Sequence, residues 1–236
     1  LSLGDRNKPF AGRMSGWARV LDYLAFQYGI LFIVSAGNQF GDLVTPDIQA
    51  LAFEALAADA KAKVALRASG ASMSSRRLLS PAESIDALTV GGLHGDNHLS
   101  LHSQVAGFDG FAGTGLCNVS SALGPGYANS IKPDIVAPGG RHHVRCAPDG
   151  NGHRLRPLSK GAIHFGGIRV ACQPVAPANI ETSRSLGTSV AAGLVTGIAA
   201  RAHELLEASY DDFLEIPSAQ RALLLKALLV HSARWT

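Results

Sequence analysis

Cysteine is scarce in this sequence. Cys117, Cys146 and Cys172 are the only cysteines among 236 residues. Their number is odd and no two stand in a CxxC spacing, which argues against both a disulfide framework and a structural zinc site. We therefore expect three free thiols, most of them buried.

Charge and long apolar runs are scarce as well. Only 17% of the residues are charged, and the formal net charge is +3. Since no run of Lys or Arg interleaves with aromatics, the composition predicts no nucleic-acid partner. No apolar run reaches membrane-spanning length and no signal peptide is evident, so we expect no membrane association. The chain opens at Leu1 rather than at Met, and its true start is expected upstream.

Apolar residues and turn formers are abundant. The chain is 47% apolar and holds 26 Gly and 11 Pro. These proportions predict one globular domain with a large core and many tight turns.

Short apolar strands alternate with helical patterns. Strands are predicted at 30–35, 87–91 and 134–137, and helices at about 15–28 and from Pro217 to 229. Strands that are separated by helices and lack polar alternation indicate a parallel sheet covered on both faces. The predicted fold is α/β, with a doubly wound, mostly parallel sheet and helices on both faces.

Two segments look added to that frame, at about 44–72 and 141–183. Within the first, residues 47–67 are rich in Ala, Leu, Glu and Lys at helical spacing and predict one long amphipathic surface helix. The second has scattered Gly, Pro and His and predicts an extended loop or a small subdomain.

Gly187-Thr188-Ser189 leads directly into a run of Ala, Gly, Val, Leu and Ile that ends at Ala200. A helix that is apolar all round is expected to be buried. Its first turn nevertheless carries hydroxyls, at the end where unpaired N–H groups and the positive end of the helix dipole lie. A hydrolase would place a nucleophile there. In the simpler interpretation, Thr188 or Ser189 is only a helix N-cap.

Asn38 follows the strand at 30–35, and parallel sheets bind ligands beyond the carboxyl ends of their strands. Its side-chain NH2 could donate a hydrogen bond to a developing oxyanion. Alternatively, an Asn after Gly37 is an ordinary turn residue.

Six blocks, in order, resemble the subtilisin-like serine proteases, or subtilases. The blocks span nearly the whole chain, except about 47–67, 141–183 and the end of the last helix. They are Leu1–Gly4, Val34–Asn38, Ser80–Ala82 with Leu88–Gly91, Ser120–Ser121 with Gly124–Pro125, Lys132–Gly139 and Gly187–Ser189 with its Ala/Gly helix.

The resemblance implies that Ser189 is the acylated nucleophile and that Asn38 donates to the oxyanion. It further implies that Ser2, Leu3 and Gly4 pair with an extended peptide substrate, opposite a pocket wall formed by the segment Ser35, Ala36 and Gly37. Main-chain pairing tolerates varied side chains, so the expected activity is that of a broad serine endopeptidase.

The chain departs from the family pattern at the triad. The family's order is Asp, His, oxyanion Asn, then Ser, so the Asp and His are expected upstream of Leu1. Residues 1–236 would then be the C-terminal part of one catalytic domain that lacks its N-terminal strands. The expected partner is the N-terminal part as a separate chain, and this chain alone is expected to be inactive.

Three alternatives are left. The chain could be an inactive fragment or pseudoprotease that only binds peptides. It could be a metal-binding module using His94, His98 and His102, whose four-residue spacing suits one helix face, although Gly95, Asp96 and Asn97 disfavour a helix there. An α/β hydrolase is set aside because no G-x-S-x-G occurs.

No cofactor is required for this chemistry. Structural calcium is common in proteins that resemble this one, but the sequence assigns it to no oxygen atoms. The compartment stays open between cytoplasm and secretion, with the odd cysteine count favouring the cytoplasm. The resemblance also implies a cis Ser80-Pro81 bond.

Overall fold

The computed structural model of the chain describes residues 1–45, 50–96, 108–109, 111, 115–149, 152–158, 167–172 and 181–233. Its helices are Gly16–Tyr28 (α1), Ala50–Ala55 (α2), Ala58–Ala71 (α3), Thr188–Ser209 (α4) and Ser218–Ser232 (α5). Its strands are Asp5–Pro9 (β1), Ile33–Ser35 (β2), Leu43–Thr45 (β3), Leu79–Ser80 (β4), Leu88–Leu93 (β5), Phe108–Asp109 (β6), Ile135–Pro138 (β7), His143–Asp149 (β8), Gly152–Pro157 (β9), Ile168–Cys172 (β10) and Glu181–Ser185 (β11).

A parallel sheet with the strand order β2-β5-β7 forms the centre of the fold. Val34 pairs with Thr89, and Val90 pairs with Ile135. The three strands predicted from short apolar runs are therefore confirmed, and so is the α/β class. Both pairings of this sheet are parallel, and the antiparallel pairs among the described residues belong to separate sheets of two and four strands.

Helices α1 and α4 cover opposite faces of this sheet. The hydroxyl of Ser15 accepts from the N–H of Ala18 and begins α1, and Gly29 ends it with a left-handed φ of 62°. Leu21 of α1 packs in one cluster with Val34, while α4 packs in another cluster with Ile33. Neighbouring strand residues point to opposite faces, so the two helices form separate layers.

Helix α4 is only partly buried, contrary to the expectation from its all-round apolar sequence. The buried stripe on the sheet is Thr188, Ala191, Ala192, Val195 and Ala199. On the other side, Leu194 is 38% and Ile198 57% exposed. The expectation fails because the described segments leave much of that side open.

Residues 50–71 form two helices rather than the predicted long one, because Ala57 adopts an extended backbone between them. They also do not lie simply on the surface. Ala62, Ala65 and Ala68, spaced one turn apart, are buried against Leu43 and other apolar side chains. Since alanine is small, this buried face was not recognisable from hydrophobic spacing alone.

The described parts of residues 141–185 contribute four strands, which fits the predicted small subdomain better than the predicted extended loop. Strands β8 and β9 form a hairpin that β3 and β6 extend, and β10 pairs with β11. Val144 and Cys146 are buried while Arg145 between them is exposed, which is the alternation of a half-covered strand. Strands from both predicted insertions, β3 from the first and β8 and β9 from the second, thus share one antiparallel sheet, and this sheet packs with α2 and α3 around a separate core.

The last helix, α5, follows Pro217, which is its N-cap rather than the predicted first-turn residue. Leu229 of α5 packs into the cluster beneath α4. All three cysteines are free; Cys146 is buried, and Cys117 and Cys172 are half-buried. Among the described residues, no helix combines the length and apolarity needed to cross a bilayer.

Candidate active site

Ser189 lies in the first turn of α4, directly after a glycine that the local geometry requires. Gly187 has a φ of 106°, which is strained for any other residue. A Cβ atom added to Gly187 would lie 2.6 Å from Oδ1 of Asn38. Glycine therefore lets the start of α4 approach the side chain of Asn38 closely.

Asn38 is held in one orientation by the start of α4. Its Oδ1 accepts hydrogen bonds from the backbone N–H of Thr188 at 3.0 Å and from the Thr188 hydroxyl at 3.3 Å. Because the amide oxygen of Asn38 faces Thr188, the side-chain NH2 points away from Thr188. That NH2 donates to no group among the described residues.

Thr188 is a residue of the candidate site whose contacts sequence reasoning missed. Its side chain is fully buried, and its hydroxyl oxygen accepts from the N–H of Gly37 at 3.1 Å. One hydroxyl thus ties the start of α4 to the end of β2. The signal was present as the middle residue of Gly-Thr-Ser, but its tertiary partners are more than a hundred residues away.

The Ser189 side chain lies at the surface of the site. It is half-buried, and its Oγ donates weakly to the carbonyl of Ser2 at 3.4 Å. The backbone N–H of Ser189 meets no acceptor among the described residues, as is usual in the first turn of a helix. The free N–H of Ser189 and the free NH2 of Asn38 are the two kinds of donor that stabilise an oxyanion.

A cavity of about 170 Å³ opens beside this pair. Of the predicted substrate residues, Ser2, Gly4, Ser35 and Gly37 line it, together with Asn38 and Ser189. Leu3 and Ala36 do not: Leu3 is exposed, and Ala36 belongs to the core beneath the sheet. Residues 1–4 are exposed and precede β1.

A second cavity, of about 330 Å³, lies on the other side of Ser189. It is formed by α4 and the β10–β11 pair, and it is lined by Ile168, Arg169, Val170, Ser185, Ser189, Val190, Gly193 and Leu194. The candidate nucleophile therefore stands between two openings.

No histidine lines either cavity in the described part of the chain. His94 follows β5 and is buried, with its Nε2 2.6 Å from Oδ1 of Asp109. Burial of Asp109 opposes its ionisation, but the hydrogen bond and charge of His94 outweigh this and lower its pKa. Burial lowers the pKa of His142 to about 3, so that its ring is neutral.

The described residues do not form the alternative metal site at His94, His98 and His102. His94 is bonded to Asp109 immediately after a strand, whereas His98 and His102 lie outside the described residues. Over the described ranges, no three His, Cys, Asp or Glu side chains are grouped as metal ligands.

The Ser80-Pro81 bond is cis, as the resemblance implied. Leu79 precedes it and lines the smaller cavity. Gly124-Pro125 and Lys132-Pro133 are cis as well.

The model of the subtilase family (Peptidase S8) matches residues 1–235. The chain belongs to the subtilase family. It is also 31% identical over 148 residues to a protein described as uncharacterized protein y4bN, from Sinorhizobium fredii (strain NBRC 101917 / NGR234). This match covers 59% of the chain and 30% of the relative, so the chain corresponds to less than a third of that protein. No solved structure gives a significant match.

Proposed function

We propose that this subtilase chain carries the nucleophile and the oxyanion site of a serine endopeptidase, with Ser189 as nucleophile and Asn38 as oxyanion donor. The observation that carries the proposal is the pairing of two free donors, the Ser189 N–H and the Asn38 NH2, at the start of α4. Thr188 acts as a positioning residue because it fixes the orientation of the Asn38 amide.

In the proposed reaction, Oγ of Ser189 attacks the carbonyl carbon of a peptide bond and gives its proton to a general base. The carbonyl oxygen becomes an oxyanion and accepts hydrogen bonds from Ser189 and Asn38. Collapse of the intermediate breaks the C–N bond, and the amine leaves with that proton. Water then hydrolyses the ester on Ser189 and restores the hydroxyl.

In this proposal, the general base and its aspartate partner lie outside residues 1–236. The N-terminal part of the protease supplies them as a separate chain. Two features support a binding surface for that segment beside Ser189. Gly193 and Gly197 of α4 have no heavy atom within 4 Å of an added Cβ. Their neighbours Leu194 and Ile198 are apolar and exposed, and such surface favours a packed partner.

The test is labelling of the complete protease, with its native partners, by a fluorophosphonate probe that reacts with activated serines. Labelling is expected to be lost in Ser189→Ala and kept in Ser185→Ala, the matched control from the neighbouring cavity wall. Asn38→Ala is expected to keep peptide binding and lose about a hundred- to a thousandfold in turnover, a magnitude known from subtilisin rather than worked out from this structure. Labelling that persists in Ser189→Ala would refute the assignment.

The second candidate function is a pseudoprotease that binds peptides without cleaving them. It is favoured by the absence of a histidine from both cavities in the described residues. In that case the complete protein binds peptides in the smaller cavity, while wild type and Ser189→Ala show the same lack of labelling and cleavage.

A further inference from the structure

The floor of the smaller cavity is filled by a large side chain. Leu79 lines the cavity and is 3% exposed. A Cβ added to Gly37 would lie 2.5 Å from the Leu79 side chain, and one added to Gly4 would lie 3.0 Å from it. Leu79 therefore touches both walls, and the cavity is shallow.

The rim of the same cavity carries one cation. Of the described residues that line it, only Arg6 is charged. Its guanidinium lies over the ring of Phe40, 5.2 Å from the ring centroid, in a cation–π contact. Arg6 forms no ion pair with a described carboxylate. The neighbouring Asp5 accepts from the N–H of Asn7 at 2.9 Å and does not line the cavity.

The cavity wall adds neutral donors. Ser2 and Ser35 both line the cavity, and the hydroxyl of Ser35 has no hydrogen-bond partner among the described residues. A carboxylate accepts hydrogen bonds only, so hydroxyl donors and a guanidinium suit it better than they suit an amide or a ring.

The resemblance to subtilases implies that this cavity receives the side chain of the substrate residue that supplies the scissile carbonyl; we propose that it selects a short acidic side chain, aspartate above all. The inference rests on the proposed function, because the oxyanion donors at the cavity edge place the carbonyl there. Leu79 excludes long and aromatic side chains, and Arg6 supplies the charge that favours a carboxylate.

The experiment compares three tetrapeptide anilides on the complete protease, identical except for Asp, Asn or Phe before the scissile bond. Asp and Asn have nearly the same shape, so the ratio of their kcat/KM values isolates charge. We expect Asp to exceed Asn by about two- to fivefold, the range of a solvent-exposed ion pair, and the ratio to shrink at high salt. Phe is expected to be the poorest substrate.

Two variants assign the preference to residues. Arg6→Gln is expected to bring the Asp/Asn ratio to about one, whereas Arg19→Gln, the same charge change on the exposed face of α1, keeps it. Leu79→Ala is expected to raise kcat/KM for the Phe anilide relative to the Asn anilide by about tenfold, because the shorter side chain makes the cavity deeper by the volume of several methyl groups. Thermal unfolding of each variant shows whether it is folded.

The outcomes separate the two proposals. If Ser189 is labelled and wild type cleaves Asn or Phe as well as Asp, the pocket assignment is wrong and the protease assignment stands. If Ser189 is unlabelled and no anilide is cleaved, the protease assignment fails. Binding of the Asp and Asn peptides to Ser189→Ala then tests the pocket assignment. Tighter binding of the Asp peptide, with the preference lost when Arg6→Gln is added, supports the assignment. Equal binding of the two peptides overturns it.

Discussion

We expect His142 to make this fold sensitive to mild acid. Its ring is 2% exposed, with Nδ1 2.6 Å from Oδ1 of Asn118 and 2.8 Å from Oγ of Ser120. The amide NH2 of Asn118 donates to the carbonyl of Gly140, which identifies Oδ1 as the atom facing the ring. Since an amide oxygen only accepts, the neutral ring carries its hydrogen on Nδ1.

The size of the effect follows from the change in pKa. Burial, with smaller effects of the positive charges of His94, His143 and Arg76, lowers the pKa from 6.5 to about 3 in the folded protein. Between these values the unfolded chain binds a proton and the folded chain does not, so stability falls as the pH falls. At pH 5 the difference lowers the free energy of unfolding by about 2 kcal/mol relative to pH 8.

The assay is urea unfolding of wild type and His142→Gln between pH 5 and pH 8. Glutamine does not titrate. Between pH 8 and pH 5, the free energy of unfolding of the variant is therefore expected to fall by about 2 kcal/mol less than that of wild type, whatever the absolute stability of the variant. Parallel curves for the two proteins, within about 0.5 kcal/mol, would show that His142 is not held neutral and that the reasoning is wrong.

Two further predictions concern the start and the open side of α4. Thr188→Val removes the hydroxyl that accepts from the buried N–H of Gly37, so we expect it to lower the free energy of unfolding by about 1–3 kcal/mol and to reduce kcat. The control is Thr188→Ser, which keeps the hydroxyl. Equal kcat values for the two variants would contradict the positioning role. Gly197→Leu adds a side chain where nothing lies within 4 Å, so we expect the unfolding temperature of this chain to stay the same or rise while copurification with the N-terminal part is lost. The control is Gly70→Leu, at an equally open position on α3, which is expected to keep the partner. A Gly197→Leu chain that still binds the N-terminal part would exclude this face of α4 as the binding surface.

The central sheet and the proximity of Ser189 to Asn38 were predictable from sequence because each depends on local signals. Short apolar runs ending in Gly or Pro predicted β2, β5 and β7, and Gly-Thr-Ser before an apolar helix predicted where α4 begins. Ser189 and Asn38 stand at the ends of these elements, so their proximity follows from the topology of a parallel sheet.

What sequence could not provide depends on contacts between distant segments. The role of Thr188 arises from partners at the end of β2, and no local pattern indicates them. The β8–β9 hairpin was hidden because its Gly, Pro and His residues are typical of loops, although Val144 and Cys146 alternate with arginine. The buried face of α3 was missed since alanine has little hydrophobic contrast.

The contact between Gly187 and Asn38 couples the two proposed catalytic groups mechanically. Because the beginning of α4 and the end of β2 touch there and share the Thr188 hydroxyl, any displacement of the helix moves Ser189 and the side-chain amide of Asn38 together. Their mutual alignment is therefore set when this chain folds. If the proposed N-terminal part supplies the general base, its association with this chain needs to set only the position of that base, because the start of α4 and Asn38 are already aligned.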